Sequence, residues 1–223
     1  MSKNTNRIRV AALGGDGIGP EVIDEAAAVL DLVAARTGLG LDLERHEYGA
    51  AAYHKTGAML PDATWKAMEL SDAILFGAIG GVEYEELPRQ VREQGSLLRI
   101  RREFRLYANL RPVKPIKALY GASTLKPEVI DGVDLLILRE LNGGVYFGEP
   151  RGIETLADGS KRGFDTQVYT TAEIERVARA AFMLARQRRG HVTSVEKSNV
   201  MRSGVLWREV VTAVHAREFA DVK

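Results

Sequence analysis

Residues 96–112 read SLLRIRREFRLYANLRP, five arginines around one Leu-Leu pair with Asn-Leu-Arg-Pro at the close. As a single helix the stretch is incoherent. At about 100° per residue, Arg101 and Arg111 fall roughly 80° apart instead of sharing a face. A helix ending near Phe104 and a strand from Leu106 resolves this. Leu106, Ala108 and Leu110 then point one way, and Tyr107, Asn109 and Arg111 the other. Such a strand lines an anion site well, because a guanidinium donates two parallel hydrogen bonds to a carboxylate. A solvated basic face is the plainer alternative for an Arg-rich run.

Upstream, Ile8–Leu13 is a short apolar run that reads as a buried strand. Gly14-Gly15-Asp16-Gly17-Ile18-Gly19-Pro20 follows, then a helical pattern from Glu21 to about Arg36, with Pro20 in its first turn and Gly38 to end it. Strand, glycine turn and helix suit phosphate, but Pro20 stands where the third glycine of a dinucleotide fingerprint belongs. A tight strand-to-helix turn is an equal reading. Leu41–Tyr48 alternates like an exposed strand, Thr64–Leu70 reads as a short helix, and Ala73–Ile79 as an apolar strand ending in Gly80-Gly81. The polar segment 82–95, which holds Pro88, reads as a ligand-facing loop.

Downstream, residues 114–117 read as extended, and Asp134–Leu138 is the strongest buried-strand signal, with Arg139-Glu140 at its end as either a cap or part of a site. Residues 141–170 read as a two-stranded arm: Val145–Phe147, a turn at Asp158-Gly159 and a returning strand at 167–170. An isolated ribbon is marginal alone, so a partner chain is expected to cover it. Thr170-Thr171-Ala172-Glu173 is a capping box. Its helix buries Ile174, Val177, Ala178, Ala181, Phe182, Leu184 and Ala185, with Arg176, Arg179, Arg186 and Arg188 on a solvated face. His191–Val195 reads as a strand, and a last helix runs from about Val200 to Arg217 with Val205, Leu206, Val210 and Val214 inward. Another strand starts at Ala220–Lys223, so the chain is expected to be truncated.

Alternation of strands and helices predicts an α/β fold with a mostly parallel sheet, helices on both faces and the arm added. The expected division is 1–106, the first part of one α/β domain, and 107–223, a second, dimer-forming one. Ligands then gather at strand ends, which hold Gly80-Gly81, Arg139-Glu140 and Lys197-Ser198-Asn199. Arg101, Arg111 and Arg139 suit two carboxylates. Tyr146, after two glycines, can approach a ligand or simply pack in the arm. Lys197 is a base if desolvated, and otherwise a surface lysine. The four histidines show no ligand spacing.

The 223 residues carry a net charge of +1 and no cysteine, which removes disulfides and thiolate metal sites. Met1-Ser2-Lys3-Asn4 opens no apolar leader, and no 18-residue apolar run exists, so a cytoplasmic protein without a membrane span is expected. Charge is uneven: residues 89–117 hold nine Lys or Arg against two Glu. That patch keeps a polyanion-binding module open as a competing class, with steep salt dependence as its mark. A structural fragment that only dimerises through the arm is a third.

The sequence resembles the decarboxylating β-hydroxyacid dehydrogenases, the isocitrate/isopropylmalate dehydrogenase family, over essentially its whole length. The carriers are residues 15–22, Leu97-Leu98 with Arg101, residues 108–112, the long block 139–152 and residues 196–200. The resemblance implies NAD-dependent oxidation of a 2-hydroxy acid followed by loss of a β-carboxylate. The implied substrate is 3-isopropylmalate, in leucine biosynthesis, and the enzyme a homodimer that binds neither nucleic acid nor membrane. Arg101, Arg111 and Arg139 match the substrate-carboxylate arginines. Lys197 matches the base for the hydroxyl proton, acting across a dimer interface, and Tyr146 the acid that protonates the enol. Leu97, Leu98 and Val200 match the isopropyl pocket. Gly80, Gly81, Val82, Glu93, Gln94 and Asn199 match the nicotinamide side. Mg2+ or Mn2+ is implied as Lewis acid, but the matching aspartates would lie beyond Lys223, so this chain is expected to lack the metal site and to be inactive alone. Gly81-Val82-Glu83-Tyr84 replaces the usual Gly-Pro-Lys-Trp, and Gln94 replaces a glutamate. Arg101–Phe104 with Tyr107 is also similar to tartrate/malate dehydrogenases, which keeps those substrates open.

Overall fold

The computed structural model describes residues 7–223; Met1–Asn4, read above for a leader, lie outside them. The chain divides into two compact units, Met1–Ile100 and Arg101–Lys223.

The first unit is built on a parallel sheet in the order β2-β1-β3. β1 (Arg7–Gly15) is central, flanked by β2 (Gly40–His46) and β3 (Ala73–Ala78), with Val10 opposite both Leu43 and Ala73. Ala11, Ala12 and Leu13 are fully buried, as a strand covered on both faces requires. α1 (Gly19–Thr37) begins with Pro20 in its first turn and ends at Gly38 in the left-handed conformation. A Cβ on Gly19 would stand 2.1 Å from the Gly14 carbonyl oxygen. The glycine block is therefore what lets α1 start hard against β1, which favours the tight-turn reading. α2 (Ala50–Thr56) and α3 (Asp62–Leu70) complete the layer. Tyr48, placed by alternation on an exposed strand, is instead buried beyond the end of β2 and donates to the Gly95 carbonyl at 2.7 Å.

The segment expected as a loop forms two short helices, α4 (Val82–Glu85) and α5 (Arg89–Gln94). Pro88 misled the reading: it flanks the α5 start, where the fixed φ of proline suits a helix N-terminus. α6 (Leu97–Glu103) ends at the predicted break. Arg105 takes a positive φ of 53°, and β4 (Ala108–Val113) follows.

In the second unit β4 pairs antiparallel with β5 (Leu135–Glu140). Residues 114–116, within the stretch expected to be extended, carry no regular element, a 3-10 turn spans Lys117–Ala122, and α7 (Pro127–Ile130) precedes β5. β5 is less buried than its composition suggested, because Leu135 and Ile137 face outward. The arm is the antiparallel hairpin of β6 (Gly152–Thr155) and β7 (Lys161–Phe164), turning at Asp158-Gly159. Val145–Phe147 form turns rather than a strand, and the returning segment reduces to one bridge, Gly144 to Val168.

α8 (Thr171–Arg186) opens with the complete Thr170/Glu173 capping box. It packs on α9 (Arg202–Glu218) and the segment that follows it through Ile174, Phe182, Val214, Phe219 and Val222, with Phe182 stacked 5.1 Å from Phe219. Each large side chain buried this way contributes about 1.5–3 kcal/mol before entropy. All four arginines assigned to the solvated face are paired: Arg176 with Glu140, Arg179 with Glu175 and Glu218, Arg186 with Asp221, and Arg188 with Asp134. His191–Val195 forms no strand. Its one ladder step is with the last residue, as Val192 donates to the Lys223 carbonyl and Lys223 to that of Gly190.

Candidate active site

Strand register fixes the central constellation. In an antiparallel pair, directly opposed residues share a face. Asn109 opposes Arg139, and Arg111 opposes Ile137. Asn109, Arg111 and Arg139 therefore project from one face of the β4–β5 ribbon, as the alternation of residues 106–111 required. Arg111 and Arg139 are diagonal neighbours there, and both are exposed. The Arg139 guanidinium donates to the Tyr146 hydroxyl and lies 5.1 Å from the centre of that ring. With its oxygen accepting from Arg139, the Tyr146 O–H remains available to donate.

The opposite face of the ribbon carries Glu140, the next residue. Its side chain is 1% exposed and pairs with Arg176 of α8 at 2.8 Å. The same carboxylate accepts the backbone N–H groups of Asn142 (3.0 Å) and Gly143 (2.7 Å). It is thus the cap on the strand end, one of the two readings its charge allowed. Gly144, at φ 76°, donates to the Val168 carbonyl and accepts from Gly148, which closes the turn that carries Tyr146. Tyr169 packs against both glycines. Burial first, and then the neighbouring Glu140 carboxylate, push the Tyr169 phenol above its ordinary 10.0.

Lys197, Asn199 and Val200 occupy the turn before α9, and all three are exposed. Of the two readings open for Lys197, a desolvated base or a surface lysine, its exposure among the described residues matches the surface one. Its backbone, by contrast, is held: the Lys197 carbonyl accepts from Val200 and Met201. An open groove of about 760 Å³ runs from Ser198 and Asn199 along α9 to Ala216.

On α6, Ile100 is the buried residue. Counting about 100° per residue from it, Leu97, Arg101 and Leu98 fall at roughly 60°, 100° and 160°. Arg101 is flanked by the two leucines, and Leu98 is the most outward. Arg99 stacks 4.6 Å from the Trp65 ring and donates to the Gln94 carbonyl.

In the first unit Gly80 and Gly81 follow β3 with φ of 127° and 116°, and a Cβ at either would meet open space. Their bare backbone leaves the end of β3 open to close approach. Val82 is exposed, Glu93 pairs with Arg89 at 2.7 Å, and Gln94 ends α5. The buried Asp16 carboxylate ties the strand ends together by accepting from Ala50 (2.7 Å) and Gly80 (3.4 Å). Sequence reasoning did not single out Asp16, Arg176 or Gly204. Only the glycine block and the Arg139-Glu140 pair pointed at two of those places. Among the described residues no three His, Cys, Asp or Glu side chains gather to hold a metal ion, so they do not fit the divalent metal and no step is derived through it.

A family model described as isocitrate/isopropylmalate dehydrogenase matches residues 9–223. The chain is 53% identical over all 223 residues to 3-isopropylmalate dehydrogenase 1 of Bradyrhizobium diazoefficiens, covering 59% of that protein. It is 54% identical over 215 residues, 96% of the chain, to 3-isopropylmalate dehydrogenase of Symbiobacterium thermophilum, covering 58% of it. Among solved structures, the apo β-decarboxylating dehydrogenase of Thermococcus kodakarensis matches with a TM-score of 0.69 at 32% identity, over 95% of this chain and 55% of that one. Isocitrate dehydrogenase of Methylococcus capsulatus matches with a TM-score of 0.73 at 28% identity, over 97% and 59%. The chain spans less than two thirds of each of these relatives.

Proposed function

We propose, from the premise that this chain belongs to the isocitrate/isopropylmalate dehydrogenase family, that it carries the carboxylate-binding and proton-transfer residues for oxidative decarboxylation of (2R,3S)-3-isopropylmalate to 4-methyl-2-oxopentanoate and CO2 in leucine biosynthesis. The observation that carries this reading is the common face of Arg111 and Arg139, with Arg139 bonded to the Tyr146 hydroxyl.

NAD, when bound, supplies the hydride acceptor. Arg101, Arg111 and Arg139 bind the substrate carboxylates through their planar forks. Lys197 takes the proton of the substrate hydroxyl, from the position that a second copy of the chain offers. Tyr146 delivers a proton to the carbon that loses CO2, and Arg139 faces the phenol oxygen on which the charge is left. Leu97, Leu98 and Val200 receive the isopropyl group. Gly80, Gly81, Val82, Glu93, Gln94 and Asn199 serve the nicotinamide side. Two short antiparallel strands are marginal in water, so the exposed β6–β7 arm pairs with its copy in a homodimer. No described helix is long and apolar enough to cross a membrane, and a cytoplasmic enzyme fits a biosynthetic role.

A panel assay tests the reading. A native polypeptide containing this chain is offered isopropylmalate, tartrate, malate and isocitrate with NAD or NADP and a divalent metal. Preference for isopropylmalate with NAD is expected. Preference for tartrate or malate moves the chain to the related enzymes. The 223-residue chain alone is expected to give no steady NAD reduction, because its described residues assemble no metal cluster; steady reduction overturns that part.

A further inference from the structure

We infer that Arg176 is a positioning residue for Tyr146, acting through the buried Glu140 carboxylate. The inference rests on the reading of Tyr146 as the group that delivers a proton. Arg176 sits on α8, far along the chain from the turn it serves. Its guanidinium reaches Glu140 at 2.8 Å and lies 4.8 Å from the Tyr107 ring centre, while its Nε is buried with no partner. An ion pair whose carboxylate is buried, whose guanidinium is half-buried and whose Nε is unsatisfied is a poor device for stability alone, because desolvation offsets much of the attraction. What the pair does supply is a fixed carboxylate.

That carboxylate determines where the turn can be. It takes the N–H groups of Asn142 and Gly143, and Gly143 is buried, so no water replaces the bond if Glu140 swings away. The turn has no room to retreat. A Cβ on Gly143 would stand 2.8 Å from the Tyr169 ring, and one on Gly144 2.4 Å from the Tyr169 hydroxyl. On its far side Gly144 is bonded to Val168. Two residues later comes Tyr146. Arg139, adjacent to Glu140 and directed to the other face of the ribbon, meets its hydroxyl. One residue in β5 therefore holds the loop and its neighbour meets the phenol. Arg176 anchors the first, and through it the relation between Tyr146 and Arg139. A misplacement of about 1 Å in such a pair can cost on the order of 100-fold in rate.

Hydrogen exchange and 19F NMR on the 223-residue chain test this. In Arg176→Met, exchange at the Asn142 and Gly143 amides is expected to rise about tenfold or more, with amides of α8 near Ile174 and Phe182 changing less than about twofold. The 3-fluorotyrosine resonance of position 146, assigned by Tyr146→Phe, is expected to shift or broaden. Arg176→Lys, which keeps the cation, is expected to restore part of both. Glu140→Gln carries the same measurements if Arg176→Met does not fold. Unchanged amides and an unchanged resonance overturn the inference, as does equal loosening throughout α8, which marks a purely structural role. In a preparation that turns over isopropylmalate, Arg176→Met is expected to lower kcat about tenfold with KM within about twofold. The underlying reading fails separately: if Tyr146→Phe leaves turnover intact, Tyr146 is not the proton donor, whatever Arg176→Met does to the exchange of the turn.

Discussion

A Cβ on Gly204 would stand 2.7 Å from the backbone carbonyl carbon of Lys197. Gly204 lies in the first turn of α9 and is buried. The missing side chain is what lets the Lys197–Ser198 backbone lie against the helix. The atoms in the way belong to the main chain, so they cannot rotate aside as a long side chain would. Gly204→Ala is therefore expected to cost ~1–3 kcal/mol of stability, as overpacking does, and to displace Lys197. Urea unfolding reads the first effect. The second appears as a fall in isopropylmalate oxidation larger than in Val205→Ala, a neighbouring control. Equal activities in the two variants would remove Gly204 from any role in placing Lys197.

The shared face of Arg111 and Arg139 predicts a loss that depends on shape rather than charge. Arg139→Lys keeps the cation but removes the fork that spans a carboxylate and reaches the Tyr146 hydroxyl. KM for isopropylmalate is expected to rise about tenfold, since a charge-assisted hydrogen bond contributes roughly 1.5–3 kcal/mol. The double variant with Tyr146→Phe should fall short of the product of the two single effects, with a coupling of ~1 kcal/mol or more. Full additivity would dissociate the two residues.

The sequence exposed the parts of this architecture that are local. The change of period between Phe104 and Leu106 located the helix-to-strand break, which falls between Glu103 and Ala108, and the positive φ at Arg105 shows the chain turning there. The capping box at Thr170 and the Asp158-Gly159 turn act within a few residues, and both were readable. What period cannot tell is which surface arrives from elsewhere. Arg176 and Arg179 lie on the polar face of α8, yet they are paired because Glu140 and Glu218 come from distant segments. His191–Val195 has the composition of a strand, but a strand exists only where an edge pairs with it, and here one residue does. For the site, alternation along β4 placed Arg111 on its face. The neighbourhood of Arg139 and Tyr146 needed the turn geometry that Glu140 imposes.

Acid should loosen the α8–α9 pair first at its carboxylates. Hydrogen bonds from Arg179, then Arg217, hold Glu218 down to about 2 from an ordinary 4.5, and the bond from Arg186 holds Asp221 down to about 2 from 3.8. A folded pKa below the unfolded one means that the unfolded chain takes up protons first. The stabilisation is therefore complete above about pH 4.5 and disappears as pH falls toward 2. Melting followed by circular dichroism should show Tm falling through that window, and Arg179→Met should flatten the fall. An unchanged slope in Arg179→Met would mean that Glu218 is not the linked group.

The two leucines of α6 make the substrate assignment vulnerable to a direct test. Ile100 is the residue that α6 buries, whereas Leu98 is 36% exposed and Leu97 half-buried on the side that also presents Arg101. An outward Leu98 adds little to folding, so Leu98→Asn should leave Tm within a few degrees, while Leu97→Asn should cost somewhat more. Their expected effect is on the ligand. An apolar group of isopropyl size loses its contacts and meets a polar amide, and differences of a methylene or two are worth about 10- to 200-fold in specificity. For each variant kcat/KM for isopropylmalate should fall by about that range, with malate, which lacks the branch, changing less than about threefold. Measuring both substrates on one preparation separates pocket from fold, because a damaged fold lowers the two together. Equal losses on isopropylmalate and malate would take Leu97 and Leu98 out of the isopropyl pocket and leave α6 as the carrier of Arg101 alone.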